Sequence, residues 1–173
     1  MTVTDLARVR PAGAGDLPRL NEIYAHYVHR TPASFDLEPP PAQTRAAWLA
    51  GHESTGPHRI LVAVEVGTPV GYASSSPFRD RQAYRTSVET SVYLDPRWLG
   101  RGIGTRLYRA LFGGLGGLEI HRAYAAITLP NPPSVSLHHR FGFREVGVLD
   151  EAGHKFGRYW SVLWMERPFF ATG

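Results

Sequence analysis

The chain contains no cysteine, which excludes disulfides, cysteine metal ligands and a thiol nucleophile. Lysine is nearly as scarce. Lys155 is the single lysine among 19 basic residues, so the positive charge rests on arginine. Arginine suits fork-like recognition of carboxylate, phosphinate and phosphate. No Lys/Arg run exceeds two residues, so the net charge of +4 permits anionic ligands without marking a nucleic-acid stripe. There is no apolar run of membrane-spanning length and no secretory leader pattern. These absences predict a cytoplasmic protein with neither a membrane nor a nucleic-acid partner. The eight histidines show no ligand spacing such as His-x-x-x-His, so no metal is expected.

With 173 residues, 43% of them hydrophobic, residues 1–173 are expected to form one globular domain with a core over about 7–169. Periodicity predicts an edge strand near 7–10, a helix over 16–30, a proline-rich loop over 31–41, and a helix over 42–51 around Trp48 and Leu49. Strands are expected over 59–66 and 70–75, joined by Gly67-Thr68-Pro69, and again over 87–94. A helix from Thr105 to Phe112, a strand over 123–128, a short helix after Ser134, and strands over 144–149 and 159–167 follow. This succession predicts a three-layer α/β fold around a mixed sheet.

The densest signal is Leu94-Asp95-Pro96-Arg97-Trp98-Leu99-Gly100-Arg101-Gly102-Ile103-Gly104-Thr105, a glycine-rich basic turn between a strand and a helix. The first turn of a helix carries unpaired N–H donors and partial positive charge, so it favours phosphate. Arg97 and Arg101 add charge suited to a diphosphate. A P-loop would need Gly-Lys-Ser/Thr, and the dinucleotide fingerprint a different last spacing. A strand-to-helix turn that merely needs glycine explains the segment about as well.

A second segment separates these readings. Leu129-Pro130-Asn131-Pro132-Pro133-Ser134 leads into Val135-Ser136-Leu137-His138-His139-Arg140-Phe141-Gly142-Phe143, with Ser134 a candidate N-cap and Gly142 a helix stop. Arg101-Gly102-Ile103-Gly104 followed by this segment resembles the GNAT superfamily of acetyl-CoA-dependent N-acetyltransferases. Gly71-Tyr72-Ala73, Phe78 to Tyr84, Ser87 to Tyr93, Thr31 to Pro39 and Gly153 to Trp160 narrow the resemblance to its phosphinothricin acetyltransferase family, over about residues 9–169.

The resemblance implies the GNAT acyl-CoA N-acyltransferase fold, α/β with a mixed, mostly antiparallel central sheet flanked by helices. It implies acetyl-CoA as co-substrate, no metal, a homodimer, and acetylation of a small amino-acid-like amine of phosphinothricin, methionine sulfoximine or methionine sulfone type. By the same resemblance, the cofactor meets Val92, Tyr93 and Leu94 on the strand, then Arg97, Leu99, Gly100, Arg101, Gly102, Ile103, Gly104 and Thr105, then Asn131 and Ser134. Many members carry Gln or Arg where this chain has Leu99, which removes a side-chain contact but leaves the backbone donors. Tyr159, Trp160, Trp164, Phe169 and Phe170 are candidates for the dimer interface or for the core.

Acetyl transfer requires the amine to lose a proton. Glu89, an acid within a strand of Thr, Ser and Val, is the candidate general base, and the resemblance points to the same residue. Alternatively it pairs with an arginine. His138 stands where many members carry a tyrosine that protonates the leaving thiolate; it either donates that proton or simply packs. Phe35, Arg79, Arg81 and Tyr84 are the candidate amino-acid-binding residues. Competing readings are an acetyltransferase for protein N-termini, polyamines or aminoglycosides, and a CoA-binding module without catalysis.

Overall fold

The computed structural model describes residues 7–169. In chain order the elements are β1 (Arg8–Pro11), α1 (Leu17–Arg30), α2 (Ala42–Ala50), β2 (Arg59–Glu65), β3 (Thr68–Pro77), β4 (Ser87–Leu94), α3 (Ile103–Leu115), β5 (Arg122–Thr128), α4 (Pro132–Arg140), β6 (Arg144–Lys155) and β7 (Arg158–Pro168). Strand order in the seven-stranded sheet is β1-β2-β3-β4-β5-β7-β6. Only β4 and β5 run parallel; the other neighbours are antiparallel. The mixed, mostly antiparallel sheet and its flanking helices agree with the expected fold class.

Alternation on β4 sends Val88 and Thr90 into the α3 side and Glu89, Ser91 and Tyr93 toward α1. On the α3 side, Leu107, Leu111 and Leu115 recur at helical spacing and are fully buried, contributing about 2 kcal/mol each. On the other side, Leu20 and Ile23 of α1 pack on Ile60, Val62 and Tyr72. Helix α1 ends at Arg30, and its C-cap Thr31 is extended because it precedes Pro32, whose ring disfavours helical backbone in the residue it follows.

Several boundaries differ from expectation. The β2–β3 turn is Val66-Gly67, with φ of 45° and 78°, so Thr68 and Pro69 already belong to β3. Helix α4 starts at Pro132, because Asn131 rather than Ser134 is its N-cap: Asn131 Oδ1 accepts from the Ser134 N–H at 3.3 Å. In α2 the buried residue is Arg45, its guanidinium 3.9 Å from the Trp48 ring centroid, while Trp48 and Leu49 are only half-buried. Strands β6 and β7 are longer than expected. Of the late aromatics, Trp164 packs edge-on to Phe78 and Phe169 lies against Phe112, while Phe170 lies outside the described residues.

Candidate active site

Strands β4 and β5 pair only through Ser87–Arg122, Val88–Ala123 and Glu89–Tyr124. Beyond Glu89 they part, and the gap becomes a cleft of about 690 Å³. Its walls are Thr90 to Leu94 of β4, Ala126 to Thr128 of β5, the segment Leu99 to Thr105, and Asn131, Ser134, His138 and Arg140 at α4. Parallel strands without a continued ladder leave main-chain groups free. The Asp95 N–H reaches Val70 O at 2.9 Å, so alternation turns the N–H of Tyr93 toward β3 and that of Val92 toward the gap. Leu94 is engaged from across the cleft: the Tyr27 hydroxyl donates to Leu94 O at 2.7 Å and lies 3.4 Å from its N–H. Of the three expected strand contacts, Val92 therefore has the free amide.

At the far end, Gly100 and Gly102 adopt φ of 73° and 75°, a region that penalises any side chain. Gly102 caps α3. Among the described residues, no N–H from Gly100 to Thr105 finds an acceptor within the chain. The donors converge at the mouth of a helix, as an anion site requires. Leu99, Gly100, Gly102, Ile103, Gly104 and Thr105 all line the cleft. The two arginines of the segment do not. Arg97 is held by Asp95 at 2.6 Å, and Arg101 lies 4.6 Å from the Trp98 ring centroid. The cation at the cleft is Arg140, whose Nη1 donates to Thr105 Oγ1 at 3.2 Å.

His138 is 3% exposed, and both its ring nitrogens are engaged. Nδ1 lies 2.8 Å from Ser134 O, a carbonyl that can only accept, so Nδ1 carries the hydrogen. Nε2 then accepts from the buried Tyr108 hydroxyl at 2.9 Å. Burial also pushes the imidazole pKa down, which disfavours the cation. Of the two readings of His138, the arrangement favours packing over proton donation, because neither ring nitrogen has a free N–H to offer a thiolate.

Glu89 marks the vertex of the splay. It is paired with Ser76 on one side and Tyr124 on the other. Its side chain is 38% exposed, with Arg79 Nη1 at 3.9 Å. Burial raises the carboxyl pKa and Arg79 partly opposes that rise. Phe78 stacks on Tyr124 with centroids 4.2 Å apart and meets Trp164 and Tyr84 edge-on. Arg79 thus stands beside Glu89, while Tyr84 is in contact with Phe78. Arg81 is exposed at the start of a short 3-10 turn and joins none of these contacts. Phe35 lies apart from the β4–β5 cleft, against Gly153 of β6.

Residues 20–143 match the model of the Acetyltransferase (GNAT) family. The chain belongs to the GNAT family of acetyltransferases. A phosphinothricin N-acetyltransferase of Streptomyces coelicolor is 50% identical over 170 residues, covering 97% of this chain and 99% of the relative. An L-methionine sulfoximine/L-methionine sulfone acetyltransferase of Pseudomonas paraeruginosa is 35% identical, covering 92% and 93%. The crystal structure of a GNAT superfamily phosphinothricin acetyltransferase from Sinorhizobium meliloti in complex with AcCoA superposes with a TM-score of 0.89 at 35% identity, covering 94% of this chain and 88% of that one.

Sequence reading of this GNAT chain missed Tyr27 and Arg140, which line the cleft, Tyr108, which bonds His138, and Tyr124 and Trp164, which pack on Phe78. Tyr27, Tyr108 and Trp164 look like ordinary core periodicity, and only packing reveals their partners. Arg140 carried a usable signal: it follows His138 by two residues in the segment already recognised.

Proposed function

We propose that this GNAT protein transfers the acetyl group of acetyl-CoA to the amino group of a small amino-acid-like substrate, in the cytoplasm where acetyl-CoA is available. The substrate class is that of phosphinothricin, methionine sulfoximine and methionine sulfone, as the names of its relatives suggest. The observation that carries the reading is the position of Glu89: a half-buried carboxylate at the closed end of a cleft whose open end is lined by the unpartnered amides of Gly100 to Thr105.

Those amides, with Arg140, fit a diphosphate, and the gap along Val92 to Leu94 fits an extended arm. Acetyl-CoA bound there supplies the activated acyl carbon. Glu89 takes a proton from the substrate ammonium, directly or through water; the freed lone pair forms the C–N bond as the thioester C–S bond breaks, and the nitrogen's second proton passes to the departing CoA thiolate, directly or through water. Its raised pKa brings it closer to neutrality, where a base is most effective. The N–H of Val92 faces the gap and is the main-chain donor available to a carbonyl oxygen. Arg79 offers a fork to the carboxylate or phosphinate of the substrate, and Phe78, Tyr124 and Trp164 wall the apolar side. His138 fixes Tyr108 and the α3–α4 packing rather than passing a proton.

We further propose a homodimer through β6. The outer edge of β6 has no strand partner among the described residues, and Val146, Val148 and Leu149 are exposed along it. Sedimentation at micromolar concentration tests this; a monomer overturns it.

The test of function is CoA-thiol release from acetyl-CoA with phosphinothricin, methionine sulfoximine, methionine sulfone and ordinary amino acids, each assayed separately. Turnover with one of the first three is expected. Acetyl-CoA binding without release on any of them overturns the substrate class.

A further inference from the structure

Strand β6 is exposed along almost its whole length, yet its last residue, Lys155, is 4% exposed. The loop between α1 and α2 covers it. Lys155 Nζ donates to Ser34 O at 2.6 Å, and among the described residues no carboxylate lies within ion-pair distance. An ammonium is expensive to bury, so this contact with a single carbonyl is a specific one. Two residues earlier, Gly153 receives the Phe35 ring: a Cβ there would stand 2.7 Å from Phe35 Cδ2 and collide with the ring edge beyond it. Trp160 Nε1 donates to Lys155 O at 2.9 Å and holds the β6–β7 hairpin in shape. From the opposite side, the Tyr24 hydroxyl lies 2.8 Å from both Ser34 Oγ and Asp36 Oδ2, while its ring meets Tyr93 edge-on. Tyr93 and Glu89 occupy the same face of β4. The loop bearing Phe35 is thus held between the hairpin and the face of the sheet that presents Glu89.

We propose that Gly153 and Lys155 are positioning residues: they seat the Phe35 loop beside the Glu89 face of the sheet and thereby set the affinity for the amine substrate. The proposal rests on the functional reading above. Phe35 is partly exposed, so a methyl at Gly153 can push the ring outward without breaking the core. Gly153→Ala is expected to raise the KM for methionine sulfoximine by about fivefold or more while leaving the KM for acetyl-CoA within about twofold. In a Phe35→Ala background the same change has no further effect, because the colliding ring is gone. Lys155→Met is expected to raise the amine KM similarly and to speed chymotryptic cleavage after Phe35 about fivefold or more. Urea unfolding monitors global stability alongside. Equal effects of Gly153→Ala in both backgrounds overturn the proposal, as do unchanged amine KM and cleavage in both single variants. A Lys155→Met protein that unfolds leaves the Gly153–Phe35 cycle to decide. If the wild type acetylates no amine tested, the functional reading falls, and the cleavage rates alone decide whether the hairpin seats the loop.

Discussion

Arg79 Nη1 lies 3.9 Å from Glu89 Oε2, with its guanidinium 4.3 Å from the Phe78 ring centroid. The pair joins the loop after β3 to the closed end of the β4–β5 gap, and it balances two opposing influences on one carboxylate. Burial favours the neutral acid; the neighbouring cation favours the anion. Glu89→Gln keeps the shape and removes the basic site. It is expected to lower kcat by about 10²–10⁴-fold, with acetyl-CoA affinity unchanged in equilibrium binding. Unchanged turnover removes Glu89 as base.

The acid limb of the pH–rate profile follows the same carboxyl. A carboxyl serves as a base only when ionised, so with Glu89 in the proposed role activity is expected to fall as pH drops through its raised pKa. Arg79 lowers that pKa, and Arg79→Ala therefore raises it further and moves the acid limb to higher pH. A profile of kcat/KM from acid to neutral pH checks the direction; a shift toward lower pH contradicts it.

His138→Gln breaks the bond that receives the Tyr108 hydroxyl and leaves a buried donor poorly matched. Unfolding free energy in urea is expected to fall by about 1–3 kcal/mol. The rate profile above neutral pH is expected to keep its wild-type shape, since the imidazole has no free N–H. A changed shape in the variant restores histidine as a proton donor.

Arg140 and Arg97 should separate in kinetics. Arg140 borders the cleft beside Thr105, whereas Arg97 is committed to Asp95. Arg140→Ala is expected to raise the acetyl-CoA KM by about tenfold, the scale of one charge-assisted hydrogen bond, with a smaller effect at high salt. Arg97→Ala is expected to change it by about twofold or less. The reverse order returns the phosphate contact to the segment before α3.

Asp95 is 3% exposed and bonded to both Arg19 and Arg97, which hold its carboxyl pKa down to about 2. Its folded-state pKa lies below the ordinary value of 3.8, so its stabilising effect is present above about pH 4 and is lost as pH falls toward 2. Asp95→Asn is expected to lower stability at neutral pH and to flatten the acid arm of stability against pH. Urea titrations of both proteins from neutral pH to pH 2 check this.

Much of the lining of the β4–β5 cleft was legible in the chain. Gly100, Gly102 and Gly104 announce a backbone that must turn and lie open, and Asn131 to Phe143 gives a second segment in the right order. Glu89 stood out as an acid in a neutral strand. Side-chain commitments were not legible. Arg97 and Arg101 were expected at phosphate because charge adjoined glycine, but charge pairs with whatever the fold brings within a few ångströms, and the fold brought Asp95 and Trp98. Arg81 was expected with Arg79 for the same local reason, and the chain direction after Asp80 separated them.

The sequence by itself determined the periodic elements, the glycine turn at the start of α3 and the acid at Glu89, because hydrophobic spacing and glycine backbone freedom act over a few neighbouring residues. Tertiary structure decided how β4 and β5 part after Glu89, which tautomer His138 adopts under Tyr108, and how Lys155 reaches Ser34 across 121 residues of chain. Those outcomes depend on distances between segments far apart in sequence, and only the packed sheet sets them.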